Sequence, residues 1–226
     1  MPATGPSPGN TPPDSRHFQE DSVMEAPDPT GVADPGFRRV LLVGTGALGV
    51  AFLPFWTNWL GNTFPEMEKR VVLTRSARRF VSADAISALC GKDVVTDDWN
   101  EAGPGAAPHV ELARWPDLVL VHPATMHFVA RYALGLTDTP LLCALQSTSA
   151  LVGVAPSLPP GAQLSPVVQG HLETLRARPG VVVAPTVPAV SASTGETEDG
   201  GAAPLSELMG LCVGAYARAR RDEEEA

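Results

Sequence analysis

The residues best suited to chemistry cluster between Ala107 and Phe128. There His109 precedes a short amphipathic piece, an apolar run from Asp117 to Val121, and then Pro123-Ala124-Thr125. Histidine is the side chain that moves a proton near neutral pH. His109 sits on the connection entering a strand, at a pocket rim, and Pro123-Ala124-Thr125 falls at that strand's end. In an open α/β sheet, ligands lie outside the carboxyl ends of the strands. Gly44-Thr45-Gly46-Ala47-Leu48-Gly49 closes an earlier apolar run and fits the glycine spacing of a dinucleotide turn. The next such run closes in Thr74-Arg75-Ser76 rather than in the acid that would hold a ribose. A cation and hydroxyls near a helix N-terminus suit a phosphate instead. Arg75 leaves an NADP reading open, but the chain has no Tyr-x-x-x-Lys to perform nicotinamide chemistry.

The elements that position these residues follow from periodicity. Short all-apolar runs read as buried parallel strands over 38–43, 70–74, 94–95, 117–121, 150–155 and 181–184. Helices are expected over 47–60, 85–89, 125–134, 139–145, 166–176 and 205–221, with Ser82 or Asp84 capping the second and Gly91 ending it. Residues 96–108 read as a loop anchored by Trp99. Strand–helix alternation of this kind predicts an α/β fold, a doubly wound parallel sheet of the flavodoxin-like or Rossmann-like kind in a single domain. Residues 185–204 are small and polar, and read as a structureless mobile lid loop.

Composition limits the function. The chain has 226 residues, enough for one α/β domain over 37–221 plus tails. A net charge of −9 argues against nucleic acid and anionic membrane as partners. Residues 1–36 carry six acids against Arg16 alone and are rich in proline and glycine, which reads as a disordered tail. Residues 222–226 read as an acidic, frayed tail. Cys90, Cys143 and Cys212 are widely spaced, without a CxxC or metal-ligand spacing, which suits reduced cysteines in a cytoplasmic protein. The segment from Met1 to Asp34 lacks the basic and apolar regions of a signal peptide. Val40 to Leu60 is apolar enough to suggest a membrane span, but the glycine turn, Pro54 and Asn58 divide it into strand and helix.

His109-Val-Glu-Leu-Ala-Arg-Trp-Pro-Asp117 followed by Leu-Val-Leu-Val-His-Pro-Ala-Thr125 resembles the homo-oligomeric flavin-containing cysteine decarboxylases. That family includes phosphopantothenoylcysteine decarboxylase and the enzymes that decarboxylate a peptide's C-terminal cysteine. The resemblance covers about Arg38 to Thr186. It implies His109 as the catalytic base and a flavin, FMN with FAD as the alternative. Gly44, Thr45, Gly46, Ala47, Thr74, Ser76, Phe80, Pro123, Ala124 and Thr125 would hold the flavin, and His127, Pro156 and Leu158 would face the substrate. It also implies a homotrimer or homododecamer. Two departures stand out: His127 replaces the asparagine of the family's Pro-Ala-Ser-Ala-Asn-Thr, and Leu158-Pro159 replaces Met-Asn in its Pro-x-Met-Asn-x-x-Met-Trp. Proline offers no amide to a carboxylate.

The coenzyme A enzymes of the family carry a cysteine after the last strand that returns electrons to the intermediate. Residues 185–204 contain none. The resemblance therefore implies oxidative decarboxylation of a precursor peptide's terminal cysteine to an enethiol, as in lanthipeptide-type aminovinyl-cysteine formation. The alternatives are a non-catalytic flavin-binding regulatory subunit and phosphopantothenoylcysteine decarboxylase. Other histidines have plainer readings: His122 as a satisfied core residue, His127 as core packing or a ligand contact, His171 on a helix surface. Trp56 and Trp59 suit the core or a subunit interface.

Overall fold

The computed structural model describes residues 35–192 and 194–224. Six parallel strands form the central sheet. β1 (Arg39–Gly44) leads through a 3-10 turn (Leu48–Phe52) into α1 (Leu53–Thr63). β2 (Glu68–Thr74), α2 (Ala83–Cys90) and β3 (Val95–Asp97) follow, then α3 (Pro108–Arg114) and β4 (Leu118–Thr125). Two helices, α4 (Met126–Ala133) and α5 (Pro140–Leu145), precede β5 (Leu151–Ser157), α6 (Pro166–Arg176) and β6 (Val181–Val183). The sheet order is β3-β2-β1-β4-β5-β6, so the strand order reverses between β1 and β4, the place where such sheets open a ligand crevice.

The apolar runs are strands because both faces of the sheet are covered. Val40 and Leu42 of β1 pack with Leu53, Leu60, Ile86 and Leu208 on one side. Leu41 and Val43 pack with Leu112, Phe128, Leu142 and Leu172 on the other. Gly153 in β5 is required by this packing, since a Cβ there would lie 2.6 Å from Cys212 Sγ. At the lower edge Asp117 accepts from the backbone N–H groups of Arg38 and Arg39 at 3.0 and 2.9 Å and from the Arg39 guanidinium at 2.7 Å. Burial would raise the Asp117 carboxyl, but these bonds hold it below its ordinary pKa. The helix starts follow the sequence signals: Ser82 and Thr125 accept from Ala85 and Phe128 N–H, and Gly91 ends α2 at φ 67°.

Three expectations change. Residues 185–204 are not structureless: β7 (Thr186–Val190) and β8 (Thr197–Ala202) pair as an antiparallel hairpin. Glycine, aspartate and glutamate disfavour strands, so propensity hid it. Tertiary contacts decide the matter, with Val187 and Ala202 against the core and Leu158 N–H donating to Gly200 O at 2.8 Å. The acids Asp222, Glu223 and Glu224 do not form a tail either; they extend α7 (Leu205–Glu224), where Arg220 and Glu224 stand one turn apart at 3.9 Å. The connection entering β4, where His109 was expected, is helical at that point: His109 lies in the first turn of α3, which begins with Pro108 at a position where its missing N–H costs nothing. The expected tail 1–36 lies outside the described residues apart from Pro35 and Gly36. Among the described residues no helix is long and apolar enough to cross a membrane.

Candidate functional site

The crevice above β1 and β4 is built on one hydroxyl. Thr45, buried at the end of β1, donates through Oγ1 to the Pro123 carbonyl at 2.6 Å and accepts from Thr125 N–H at 2.8 Å. This ties the two turns at the switch point together. The His122–Pro123 peptide is cis, and the register with β5 shifts between Val121 and Ala124 before resuming as Ala124 opposite Pro156.

On one side of this junction lies a polar cavity of about 650 Å³, within the range of small-molecule sites. Thr45, Thr74, Ser76, Arg79, Thr125 and His127 line it, with Asp97, Asp98 and Trp99 from the end of β3. The Thr74 and Ser76 hydroxyls in its lining stand 3.3 Å apart. Arg75 is turned to Asp98, its Nε donating at 3.1 Å. Asp98 lies below its ordinary pKa because it accepts from Asn100 N–H and from Arg75. Asp97 is raised by burial, although Leu141 N–H donates to it at 2.8 Å.

On the other side lies an apolar groove of about 720 Å³ between the first helical turns and the hairpin. Leu48, Phe52, Trp56, His122, Pro123 and Leu158 line it, with Val187 and Val190 opposite. Phe52 is 58% and Leu48 54% exposed, large apolar side chains held in the open at the rim.

The glycines divide their work. A Cβ on Gly44 would lie 2.7–2.9 Å from Val50, Leu73 and Leu53, so this glycine lets the helical turn close onto β1. A Cβ on Gly46 would lie 2.5 Å from Ser76 Oγ, so its absence leaves the Ser76 hydroxyl its place beside the turn. The Thr74 and Ser76 hydroxyls and the Arg79 cation that line this cavity are the donor types that the phosphate of a flavin mononucleotide takes. Thr45, Thr74, Ser76 and Thr125 line the polar cavity with His127; Pro123 and Leu158 line the groove. Gly44, Gly46, Ala47, Phe80, Ala124 and Pro156 line neither. Phe80 is 43% exposed beyond the Ser76 turn, while Ala124 is buried in its strand.

His109 also lines neither cavity. Its ring packs against Trp99 at 5.4 Å between centroids, and Trp99 forms a wall of the polar cavity. The His109 Nδ1 is buried without a partner among the described residues. His127, by contrast, is exposed at the cavity rather than in the core. His122 is buried as expected, with Nε2 2.9 Å from Ala203 O and Nδ1 without a hydrogen-bond partner among the described residues. Sequence reasoning missed Thr45 as a structural tie and Arg79, Asp97 and Trp99 as cavity walls. The hydroxyl after the first glycine was the one available signal.

A family model described as Flavoprotein matches residues 31–216. The cypemycin cysteine dehydrogenase (decarboxylating) of Streptomyces sp is 34% identical over 159 residues, spanning 70% of this chain and 81% of that one. The coenzyme A biosynthesis bifunctional protein CoaBC of Bacillus subtilis (strain 168) is 32% identical over 138 residues, 61% of this chain, but the match spans only 34% of that protein. Among solved structures, the FMN-dependent cysteine decarboxylase SpaF superposes with a TM-score of 0.64 at 27% identity, covering 79% of this chain and 97% of that one.

Proposed function

This chain belongs to the flavoprotein family, and on that premise we propose that it oxidatively decarboxylates the C-terminal cysteine of a precursor peptide, leaving an enethiol. FMN is the cofactor, and the reaction belongs to lanthipeptide-type assembly of an aminovinyl-cysteine in the cytoplasm. The observation that carries this reading is the junction at Thr45, Pro123 and Thr125. A polar cavity suited to a phosphorylated cofactor there adjoins an apolar groove suited to the end of a peptide.

The chemistry requires that junction. Loss of carbon dioxide from an unassisted cysteine carboxylate leaves a carbanion without an electron sink. Flavin, when bound, supplies the acceptor for a hydride from the cysteine β-carbon. With the thiol proton removed, the substrate becomes a thioaldehyde, and its C=S accepts the electron pair released as carbon dioxide leaves. Thr74, Ser76 and Arg79 would hold the phosphate end; Thr45 holds the turns in place; Pro123 and Leu158 would exclude water from the apolar side. His109 takes the thiol proton.

The residues also favour the oxidative outcome over the coenzyme A reaction, which needs a thiol to return electrons. The β7–β8 hairpin contains no cysteine. Cys212 is buried in α7 with its thiol pushed up to about 12 by burial, and neither Cys90 nor Cys143 lines either cavity. The exposed Leu48 and Phe52 beside the groove support assembly into a homotrimer or homododecamer that completes the site between subunits. The test is mass spectrometry of a peptide ending in cysteine. The expected change is loss of carbon dioxide plus two hydrogens, and loss of carbon dioxide alone would overturn the oxidative assignment.

A further inference from the structure

The two cavities treat their acids differently. In the polar cavity Asp98 pairs with Arg75 and Asp138 with Arg131. The apolar groove holds Glu198 and Asp199 on β8, and its lining contains no lysine or arginine. Neither carboxylate has an ion-pair partner among the described residues. Glu198 accepts from the Thr194 hydroxyl at 3.3 Å, and Asp199 is exposed. The segment 185–204 adds Glu196 and carries no base. The place of these acids along the groove is fixed at its inner end. Leu158 N–H donates to Gly200 O at 2.8 Å, and the Ala203 carbonyl lies 2.9 Å from the ring of His122, the neighbour of Pro123. A strand rises about 3.3 Å per residue, so Asp199 and Glu198 lie roughly 13–17 Å from Ala203 along the groove wall. An extended peptide whose cysteine lies at Pro123 covers that distance in about four or five residues.

We infer that the peptide this groove takes is cationic: a lysine or arginine stands about four residues ahead of its terminal cysteine, with apolar residues between, and Glu198 and Asp199 receive it. This rests on the decarboxylase reading above. The apolar stem of such a side chain lies along Phe52 and Val190 while its charged head reaches the two carboxylates. The same pair repels a peptide that carries an acid at that position, so it selects by exclusion as well as by attraction. It also orients the chain. The peptide's terminal carboxylate is turned away from the acids of the hairpin and toward the junction at Thr45, Pro123 and Thr125, where the cofactor cavity begins.

The test uses flavin-loaded protein and three acetylated peptides, Lys-Ala-Leu-Val-Ser, Gln-Ala-Leu-Val-Ser and Glu-Ala-Leu-Val-Ser. A serine end binds without turnover, so calorimetry gives each Kd, and the matching cysteine peptides are followed by mass. In wild type the lysine peptide should bind about threefold to tenfold more tightly than the glutamate one, the worth of one or two exposed charge pairs, with glutamine between. Raising salt from about 0.05 M to about 0.5 M should close that gap to less than about twofold. Glu198→Gln together with Asp199→Asn keeps an acceptor for Thr194 and should level the three peptides. Glu198→Lys together with Asp199→Lys should reverse their order. If neither double variant folds, the salt series on wild type decides. Equal Kd values in wild type overturn the inference, as does an order that survives high salt or the neutral variant. So does the absence of any peptide binding, the result expected if a neighbouring copy of the chain covers the groove. An order that holds while no cysteine peptide loses mass sustains the cationic site and sinks the decarboxylase reading.

Discussion

Thr45 and Thr125, eighty residues apart in sequence, share one hydroxyl: Thr45 Oγ1 accepts from Thr125 N–H at 2.8 Å while donating to the Pro123 carbonyl at 2.6 Å. Both ends of the crevice depend on that atom. Thr45→Val keeps the shape and leaves one buried N–H and one buried carbonyl unanswered, a cost of about 1–3 kcal/mol for each group. The expected outcome is a lower Tm and at least tenfold weaker flavin retention, measured by thermal melts and by flavin fluorescence on dilution. Unchanged retention would mean that the junction does not form the cofactor site.

Gly46→Ala tests the other wall. The added Cβ would meet Ser76 Oγ at 2.5 Å and Ser76 Cβ at 2.6 Å, closer than side-chain carbons ever approach. Ser76 stands on the turn after β2 and has room to move outward, so the fold survives with a loss of about 1–3 kcal/mol from overpacking. Flavin binding falls with the displaced hydroxyl. Gly170→Ala, on the surface of α6 with nothing near its Cβ, serves as the control with no loss of flavin. Equal flavin content in both variants would remove Ser76 from the phosphate site.

The parallel sheet was legible because its strands, such as Val40 to Val43, are apolar on both faces and end in turn residues. The glycine turn and Pro123-Ala124-Thr125 were legible as strand ends. The hairpin was not, because Thr197-Glu-Asp-Gly-Gly-Ala202 has no strand propensity of its own and is fixed by its contacts with Leu158 and the core. The site was legible only where a residue's place follows from its own strand. Thr45 and Ser76 followed in that way, whereas Trp99 and Arg79 reach the cavity through the packing of other elements. The sequence puts His109 at a pocket rim, whereas in the structure its helix turns it onto Trp99 and away from both cavities of its own chain.

Acid should destabilise the fold through His122. Burial lowers its pKa to about 4, against the pull of the Ala203 carbonyl, so the native ring stays neutral while the unfolded one titrates near 6.5. The unfolded chain therefore binds more protons between those values. Stability from this site is complete above pH 6.5 and is lost as pH falls toward 4, by about 3 kcal/mol at most. Chemical denaturation of wild type at pH 7 and pH 4.5 should show a drop that His122→Gln lacks. An identical pH dependence in the two proteins would show that the ring is solvated.

His109 gives the sharpest test of mechanism. It occupies the first turn of α3, half-buried, with its ring on Trp99 and Nδ1 unanswered, so His109→Asn should leave the fold and the flavin in place. As general base it should cost roughly 10²–10⁴-fold in turnover of a cysteine-ending peptide, with little change in KM. Since His109 lines neither cavity of its own chain, as a base it must meet substrate across a subunit boundary in the proposed homo-oligomer. Mixed oligomers of His109→Asn and Thr45→Val protein then contain sites that pair an intact histidine from one chain with an intact cofactor turn from the other. Mixing by partial denaturation and refolding should restore turnover well above that of either variant alone. Mixed oligomers as inactive as their parents would place the histidine and the cofactor in the same chain, and undiminished turnover in His109→Asn would take the histidine out of the mechanism.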